Sequence, residues 1–156
     1  MKVNIYGSTG EIGKKTLNLI SKHFPNYKIN LLCANKNYKL LIKQIKLFNP
    51  KYIYLADKSK HSLLMKNLDF KIKILNFNEL NDYLNISKSD FSILAISGYK
   101  SLNFLEQIIN NTKNLGLVSK EAVVSAGHLF NKKNYFKKTN IFPIDSEHYS
   151  LFEFFK

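Results

Sequence analysis

The sequence predicts an α/β fold with a mainly parallel, doubly wound sheet, and three observations lead to this class. Short apolar runs alternate with longer amphipathic segments, which is the pattern of β-α-β units. The first apolar run ends in a glycine-rich turn that opens directly into a helical pattern. A length of 156 residues with 45% hydrophobic content suffices for one packed core. Together these features are typical of Rossmann-like domains.

Seven strands are predicted from short runs rich in β-branched and aromatic residues. In chain order they cover residues 2–6, 28–34, 52–56, 71–75, 91–97, 115–119 and 140–144. Apolar residues that recur every three to four positions predict helices between these strands. The helices cover residues 11–23, 38–48, 59–67, 78–84, 101–112 and 121–131. A further helix is expected after the last strand.

Composition and charge narrow the class of partner. The net charge is +13, but all 24 basic residues are Lys, whereas Arg is preferred for bidentate contacts to phosphate and guanine. Because the lysines are scattered along the chain, nucleic acid is not an expected partner. No signal-peptide core or membrane-spanning apolar stretch is found, so a cytoplasmic protein without membrane insertion is expected. The one cysteine, Cys33, is expected to be a small buried hydrophobic residue.

A candidate nucleotide site follows the first predicted strand, where residues 7–13 read GSTGEIG. Glycines allow a tight turn and let the backbone approach a pyrophosphate, whose charge meets free N–H groups at the start of the helix. The alternative is a capping box, in which Ser8 and Glu11 stabilise the helix without a ligand. The position after the first strand of a doubly wound sheet favours dinucleotide binding.

The end of the second predicted strand indicates which dinucleotide is bound. Sites that prefer NAD usually carry an acid here for the ribose hydroxyls, but this strand ends in Ala34, Asn35, Lys36 and Asn37. Lys36 is placed to meet a 2′-phosphate, so NADP(H) is favoured over NAD(H). The alternative is that Lys36 is simply one of many surface lysines.

Two carboxylates flank Ser146 directly after the last predicted strand. Asp145 and Glu147 lie two positions apart at the carboxyl end of the strand, where open α/β sheets bind ligands. Their oxygen atoms suit Mg²⁺ or Mn²⁺, and such a metal can polarise a carbonyl group. The alternative is that Asp145 caps the following helix and Glu147 occupies its first turn, which favours acids.

Four motifs occur in the order and approximate spacing of one known family. They are GSTGEIG at 7–13, ANKN at 34–37, LVSKEAVVSAGHLF at 117–130 and PIDSEH at 143–148. With them, essentially the whole chain resembles the 1-deoxy-D-xylulose 5-phosphate reductoisomerases. The resemblance implies an oxidoreductase that uses NADPH and Mg²⁺ or Mn²⁺. Its reaction would convert 1-deoxy-D-xylulose 5-phosphate to 2-C-methyl-D-erythritol 4-phosphate in non-mevalonate isoprenoid biosynthesis.

The resemblance also implies a role for each matching residue. Cofactor binding would involve Gly7, Thr9, Gly10, Glu11, Ile12, Asn35, Lys36, Asn37, Ser119 and Glu121. Asp145 and Glu147 would bind the metal, whereas Lys120, Ser146 and Glu147 would bind the substrate. The catalytic residues would be Lys120, Asp145 and Glu147.

Two residues near the cofactor depart from the family pattern, and the glycine-rich turn after the fifth predicted strand, which reads SGYKSL at 97–102, is also altered. Glu11 stands where Ser is usual, and its carboxylate is expected to repel the pyrophosphate. Ser119 stands where Asn is usual, which shortens a hydrogen-bonding side chain near the nicotinamide end.

The resemblance further implies an incomplete enzyme. Residues 1–130 would form the NADPH-binding domain, and residues 131–156 a polar linker and the beginning of the catalytic domain. The rest of that domain and a C-terminal helical domain would be missing, so activity of the chain alone is not expected. Candidate partners are the phosphosugar substrate, a complementary C-terminal fragment and a second copy of the chain in a homodimer. Two alternatives stay open: a small NADP-dependent oxidoreductase that acts alone, and a non-catalytic dinucleotide-binding or interaction module.

Overall fold

The computed structural model describes residues 1–68, 72–132 and 138–155, and within them seven strands form a single sheet. The strands are β1 (Lys2–Tyr6), β2 (Lys28–Ala34), β3 (Tyr52–Leu55), β4 (Lys73–Leu75), β5 (Ser89–Leu94), β6 (Thr112–Leu117) and β7 (Asn140–Pro143). Their spatial order is β4-β3-β2-β1-β5-β6-β7, and every neighbouring pair is parallel. The predicted Rossmann-like α/β class is confirmed, and the described sheet is parallel throughout.

Helices connect these strands, as the periodicity predicts. They are α1 (Glu11–His23), α2 (Tyr38–Phe48), α3 (His61–Lys66), α4 (Phe77–Ile86), α5 (Leu102–Asn111), α6 (Lys120–Lys132) and α7 (Ser146–Phe154). Short 3₁₀ turns at Lys58–Lys60 and Tyr99–Ser101 precede α3 and α5. None of these helices is long and apolar enough to cross a membrane.

Two strands begin earlier than predicted because polar residues open them. β5 begins at Ser89 instead of residue 91, and β6 at Thr112 instead of residue 115. Ser89 and Thr112 are buried register partners, and the Ser89 hydroxyl donates to Thr112 Oγ1 over 3.0 Å. Serine and threonine do not belong to an apolar run, so the sequence pattern does not include them in these strands. Inside the sheet, pairing satisfies their hydroxyl groups.

The apolar side chains form one core on each face of the sheet. On one face, α1, α2 and α3 cover a core that includes Ile5, Leu32 and Ile53. On the other, α4, α5 and α6 cover a core that includes Tyr6 and Leu94. Because successive residues of a strand point to opposite faces, the central strands β1 and β2 contribute to both cores. The sheet is therefore doubly wound.

β7 extends the sheet beyond β6, with Asn114 paired to Asn140 and Leu117 to Pro143. The last strand thus belongs to the same sheet as the first six. The predicted linker at 131–140 includes residues 133–137, which lie outside the described residues, as does Lys71 of the predicted fourth strand. The division of the chain at residue 130 stays a prediction.

The strand order changes direction at β1, whose neighbours are β2 on one side and β5 on the other. A crevice opens at the carboxyl ends of the strands at such a point. Gly7 and Gly13 allow the chain to pack closely there: a Cβ atom on Gly13 would lie 2.3 Å from Gly7 O, and one on Gly7 would lie 2.4 Å from Ala95 O. Gly7 also has φ +87°, which disfavours any side chain. The first turn of α1 therefore rests directly on the turn after β1.

This packing predicts that Gly13→Ala lowers the free energy of unfolding by about 2–3 kcal/mol, because the added methyl group overlaps backbone atoms. The measurement is denaturant unfolding. The matched control is Gly127→Ala in α6, where no described atom lies within 4 Å of the added group, and it should be neutral or stabilising by up to about 1 kcal/mol. Equal stability of the two variants would contradict the predicted contact.

Candidate functional site

A cleft of about 830 Å³ lies at the carboxyl ends of β1, β2, β3 and β5. Six of the predicted cofactor residues line it, namely Gly7, Thr9, Gly10, Asn35, Lys36 and Asn37. Cys33, Tyr54 and Phe104 contribute an apolar floor, since all three pack in or against the core under α4 and α5. The cleft combines an apolar floor with a rim of backbone and amide groups, as dinucleotide sites do.

The glycine turn presents an open helix N-terminus to this cleft. The N–H groups of Gly7 and Ser8 both donate to Cys33 O over 2.9 Å, which fixes the turn against β2. Gly10 is the N-cap of α1, and no side chain caps this helix. The alternative of a Ser8–Glu11 capping box is therefore wrong. Uncapped N–H groups and the positive end of the helix dipole suit an anion.

Ser8 instead pairs with Gln44 of α2, and both residues are buried. The Ser8 hydroxyl donates to Gln44 Oε1 over 2.8 Å, and Gln44 Nε2 donates to the carbonyl oxygen of Ser8 over 2.8 Å. These two bonds hold the glycine turn against α2, and neither residue lines the cleft. The role of Gln44 is not visible in the sequence, where it occupies one position of an otherwise ordinary amphipathic helix.

Glu11 points away from the cleft. Its carboxylate forms ion pairs with Lys14 at 3.3 Å and Lys15 at 3.4 Å, and it is not among the residues that line the cleft. Hydrogen bonds from Lys14 and then Lys15 lower the pKa of Glu11. Because two ammonium groups neutralise this carboxylate, the expected repulsion of a pyrophosphate is weakened. Ile12, the next predicted cofactor residue, also lies outside the lining.

The segment after β2 forms one wall of the cleft. Asn37 caps α2 by accepting a hydrogen bond from Leu40 N at 3.1 Å, so its amide nitrogen is the part left for a ligand. Asn35 O accepts a hydrogen bond from Asp57 N at 3.0 Å, which ties this segment to the end of β3. Lys36 is exposed and lines the cleft. Its position in this wall fits the predicted contact with a 2′-phosphate, and its exposure leaves the surface-lysine alternative open.

For the wall on the other side of the cleft, sequence reasoning noted only that the turn after β5 departs from the family pattern and assigned it no ligand contact. Residues 95–100, after β5, form this wall. Tyr54 and Ala56, at the end of β3, also line the cleft, on the side of the Lys36 segment. These residues follow strands that neighbour β1 and β2, and this position could have identified them as lining residues. The strand order must be known first, and the sequence does not give it. Gly98 has φ +73°, a backbone conformation that favours glycine and is common in turns.

Ser119 and Glu121 lie at the start of α6, beside the turn after β5. Ser119 is buried and accepts a hydrogen bond from Ala122 N at 3.3 Å, so it caps the helix, while its hydroxyl lies 3.0 Å from Glu121 Oε2. The pKa of Glu121 is lowered by its own backbone N–H and by the Ser119 hydroxyl. Neither residue lines the cleft, so their role toward a cofactor stays a prediction.

The predicted metal ligands follow β7. Asp145 caps α7: its Oδ1 accepts from His148 N at 2.9 Å and its Oδ2 lies 2.7 Å from His148 Nδ1. Burial acts to raise the pKa of Asp145, but these two contacts outweigh it and the pKa is lowered. The Ser146 hydroxyl donates to Glu147 Oε2 over 2.7 Å. The helix-cap alternative is thus correct for both acids, since Asp145 caps α7 and Glu147 lies in its first turn. Neither position excludes metal binding by the same carboxylate.

Lys120, at the start of α6, acts on this acidic pair through its charge. The pKa of Glu147 is lowered first by the Ser146 hydroxyl, then by its own backbone N–H, and also by the Lys120 ammonium. The Lys120 ammonium and the Glu147 carboxylate therefore attract each other weakly, and their shared substrate site stays a prediction. Both carboxylates are ionised at neutral pH, which is the form that binds a divalent cation.

The acidic pair and the cleft share one edge of the sheet but not one cavity. Asp145 follows β7, and β7 lies three strands from β1 in the sheet. At about 4.8 Å per strand, the acidic pair and the glycine turn lie roughly 14 Å apart along the edge. A second groove of about 780 Å³ lies at the opposite edge, lined by residues such as Lys2, Tyr27 and Lys51. It contains none of the predicted site residues, so the carboxyl edge is the candidate site.

The fold and the glycine turn define a Rossmann-like α/β domain. The model of the family described as 1-deoxy-D-xylulose 5-phosphate reductoisomerase matches residues 3–127. The chain therefore belongs to the 1-deoxy-D-xylulose 5-phosphate reductoisomerase family.

Relatives of that name cover nearly the whole chain. One from Pelagibacter ubique (strain HTCC1062) is 41% identical over 96% of this chain and 39% of the relative. One from Wolbachia pipientis wMel is 38% identical over 97% of this chain and 39% of the relative. The chain thus spans about 39% of the length of these curated relatives.

Solved structures agree with the fold in detail. The 1-deoxy-D-xylulose 5-phosphate reductoisomerase from Zymomonas mobilis in complex with NADPH is 32% identical, with a TM-score of 0.83 over 94% of this chain and 39% of that chain. A reductoisomerase in complex with NADPH, fosmidomycin and magnesium is 28% identical, with a TM-score of 0.80 over 95% of this chain and 37% of that chain.

The buried Ser8–Gln44 pair predicts that Gln44→Leu lowers the free energy of unfolding by about 1–3 kcal/mol, because Ser8 loses both partners while it stays buried. Denaturant unfolding measures this loss. The control is Lys43→Leu, an exposed neighbour on the same helix, which should change stability by less than about 0.5 kcal/mol. A Gln44→Leu variant as stable as its control would show that the pair does not hold the turn.

Proposed function

We propose that this chain forms the NADPH-binding part of a reductoisomerase that converts 1-deoxy-D-xylulose 5-phosphate to 2-C-methyl-D-erythritol 4-phosphate. The observation that carries the proposal is the common edge of the sheet. The uncapped start of α1, the Lys120 ammonium and the Asp145–Glu147 pair all lie at the carboxyl ends of parallel strands. Family membership supports the reaction class, and the NADPH in the Zymomonas mobilis relative supports the cofactor.

NADPH fits the described residues. The glycine turn and the first N–H groups of α1 would hold the pyrophosphate, since no side chain occupies them. Lys36 and the amide nitrogen of Asn37 would meet the adenosine 2′-phosphate. Among the described residues no acid lines the cleft, so nothing in this lining repels the added phosphate or binds the ribose hydroxyls in the manner of an NAD site. When bound, NADPH would supply a hydride to a carbonyl carbon of the sugar phosphate.

A divalent cation fits the acidic pair in part. Asp145 and Glu147 offer two ionised carboxylates, and magnesium commonly binds one or two carboxylates together with water and substrate oxygens. No group of three or more His, Cys, Asp or Glu side chains that could hold a metal exists among the described residues. The metal would supply Lewis-acid polarisation of substrate oxygens when bound. A related reductoisomerase structure contains magnesium, which supports this cofactor.

Two side chains would act directly on the substrate. Lys120 would hold a fixed positive charge beside substrate oxygens, where developing negative charge is stabilised most in a site that excludes water. The Ser146 hydroxyl, which donates to Glu147 in this structure, would orient the substrate. Ser119, as the helix cap next to Lys120, would keep the start of α6 in place.

Catalysis would require more polypeptide than these 156 residues. The chain spans about 39% of its relatives, and the two carboxylates need further ligands. Exposed apolar side chains in α7 and directly after it also support a further polypeptide that packs on them. Leu151 is 56% exposed, Phe154 81% and Phe155 79%. Residues 1–130 would be the cofactor domain, and residues 131–156 would begin the catalytic domain that this further polypeptide completes.

NADPH is expected to protect the chain against thermal unfolding, because a ligand that binds only the folded state stabilises it. At a hundredfold excess over Kd the gain is about 2.7 kcal/mol. Differential scanning fluorimetry with NADPH and with NADH, at equal concentration, is the measurement, and NADPH should give the larger shift in Tm. The absence of any shift at millimolar NADPH and NADP⁺ would rule out cofactor binding.

Without an added polypeptide, the chain is expected to show no oxidation of NADPH with 1-deoxy-D-xylulose 5-phosphate and Mn²⁺. The assay follows NADPH absorbance, and a full-length relative serves as the positive control. Steady turnover by the purified chain, abolished in Asp145→Ala, would show that the chain is a complete enzyme and would overturn the proposed incompleteness.

A further inference from the structure

Lys100 is a cation in the cleft that neither the glycine motif nor the metal motif includes. It lies in the 3₁₀ turn Tyr99–Ser101 after β5, is exposed, and lines the cleft together with Gly98 and Tyr99. Lys36 and Lys100 are the two lysines among the described residues of this lining, which include no acid. Within the described part of the chain, the ion pairs involve other lysines, so the Lys100 charge is free for a ligand.

The turn that carries Lys100 is anchored from below. Ser101 is fully buried, and its hydroxyl lies 2.7 Å from Gly98 O and 3.2 Å from the hydroxyl oxygen of Ser119. Ser119 in turn caps α6. The backbone on both sides of Lys100 is therefore tied to the start of α6, whereas the Lys100 side chain projects to the surface. A cation on a fixed turn loses less conformational entropy when it binds a ligand than one on a mobile loop.

The strand order assigns this cation a position relative to the cofactor. Lys36 follows β2 and Lys100 follows β5, and β1, with its glycine turn, lies between them. Neighbouring strands are about 4.8 Å apart, so the two lysines flank the glycine turn from opposite sides. The end of β5 also contacts this turn directly, as the 2.4 Å separation between Ala95 O and a Cβ on Gly7 shows.

We infer that Lys100 binds the pyrophosphate of the dinucleotide, while Lys36 reads the 2′-phosphate. This inference rests on the proposed NADPH site and adds a contact to it. The pyrophosphate would then meet N–H groups of α1 on one side and an ammonium group on the other, a charge-assisted contact that any dinucleotide can make. Lys100 thus sets affinity for NADPH and NADH alike, and Lys36 sets the preference between them.

The test is an equilibrium titration of the purified chain with NADPH and, separately, with NADH. Nicotinamide fluorescence is the signal that reports binding. Lys100→Gln should weaken both affinities by about tenfold, the loss of one charge-assisted contact, and leave their ratio unchanged. Lys36→Gln should weaken NADPH alone. Lys100→Arg should restore most of the affinity because it keeps the charge. Lys43→Gln, the same change on the exposed side of α2, is the matched control and should bind as wild type does.

Each outcome separates this inference from the proposed function. If wild type binds NADPH and Lys100→Gln binds both dinucleotides as well as wild type, Lys100 is not a ligand and the inference fails alone. If Lys100→Gln weakens NADPH only, it reads the 2′-phosphate and the assignment to the pyrophosphate is wrong. If wild type binds neither dinucleotide, the proposed site and the inference both fail. A circular dichroism spectrum identical to that of wild type confirms that each variant is folded.

Discussion

The common direction of the strands is the constraint on which the candidate site depends. Because all neighbouring strands of the described sheet are parallel, every carboxyl end lies at one edge. The glycine turn, the Lys36 segment, the Lys100 turn, Lys120 and the acidic pair come from distant parts of the sequence, yet each directly follows one of these strands. An antiparallel β7 would have moved Asp145 and Glu147 to the opposite edge, with Lys2 and Lys51, where no predicted cofactor residue lies among the described lining.

Close backbone packing at the centre of this edge determines how the cleft is built. Gly7 and Gly13 bring the β1 turn against both the end of β5 and the start of α1. Ser8 cannot cap the helix from this position and pairs with Gln44 instead, which leaves the helix N-terminus open toward the cleft. The same turn therefore needs small residues for packing, and as a consequence it leaves N–H groups uncapped in the arrangement that suits an anion. The charge of the cleft is positive because Lys36 and Lys100 flank it without an acid in the described lining.

Much of the fold could be predicted from sequence because periodicity reports which side chains are buried. The predicted bounds of β1, β2, α1 and α2 match the structure to the residue, because glycine, proline or asparagine follows each apolar pattern. The missed features depend on tertiary pairing. Buried hydroxyl groups begin β5 and β6, Gln44 supports a turn 36 residues away, and Lys100 reaches the cleft only through the strand order. The direction of the Glu11 side chain likewise follows from lysines one turn along α1, which also weaken its expected repulsion of a pyrophosphate.

The central claim is that the glycine turn and the Asp145–Glu147 pair lie at the same carboxyl edge of the sheet. It is tested most directly by backbone amide NMR of the chain, first with NADPH and then with Mn²⁺. NADPH should shift the resonances of Gly10, Lys36 and Gly98, and Mn²⁺ should broaden those of Lys120 and Ser146, with both effects confined to the carboxyl edge. Shifts or broadening centred on Tyr27 and Lys51 at the opposite edge would contradict this claim.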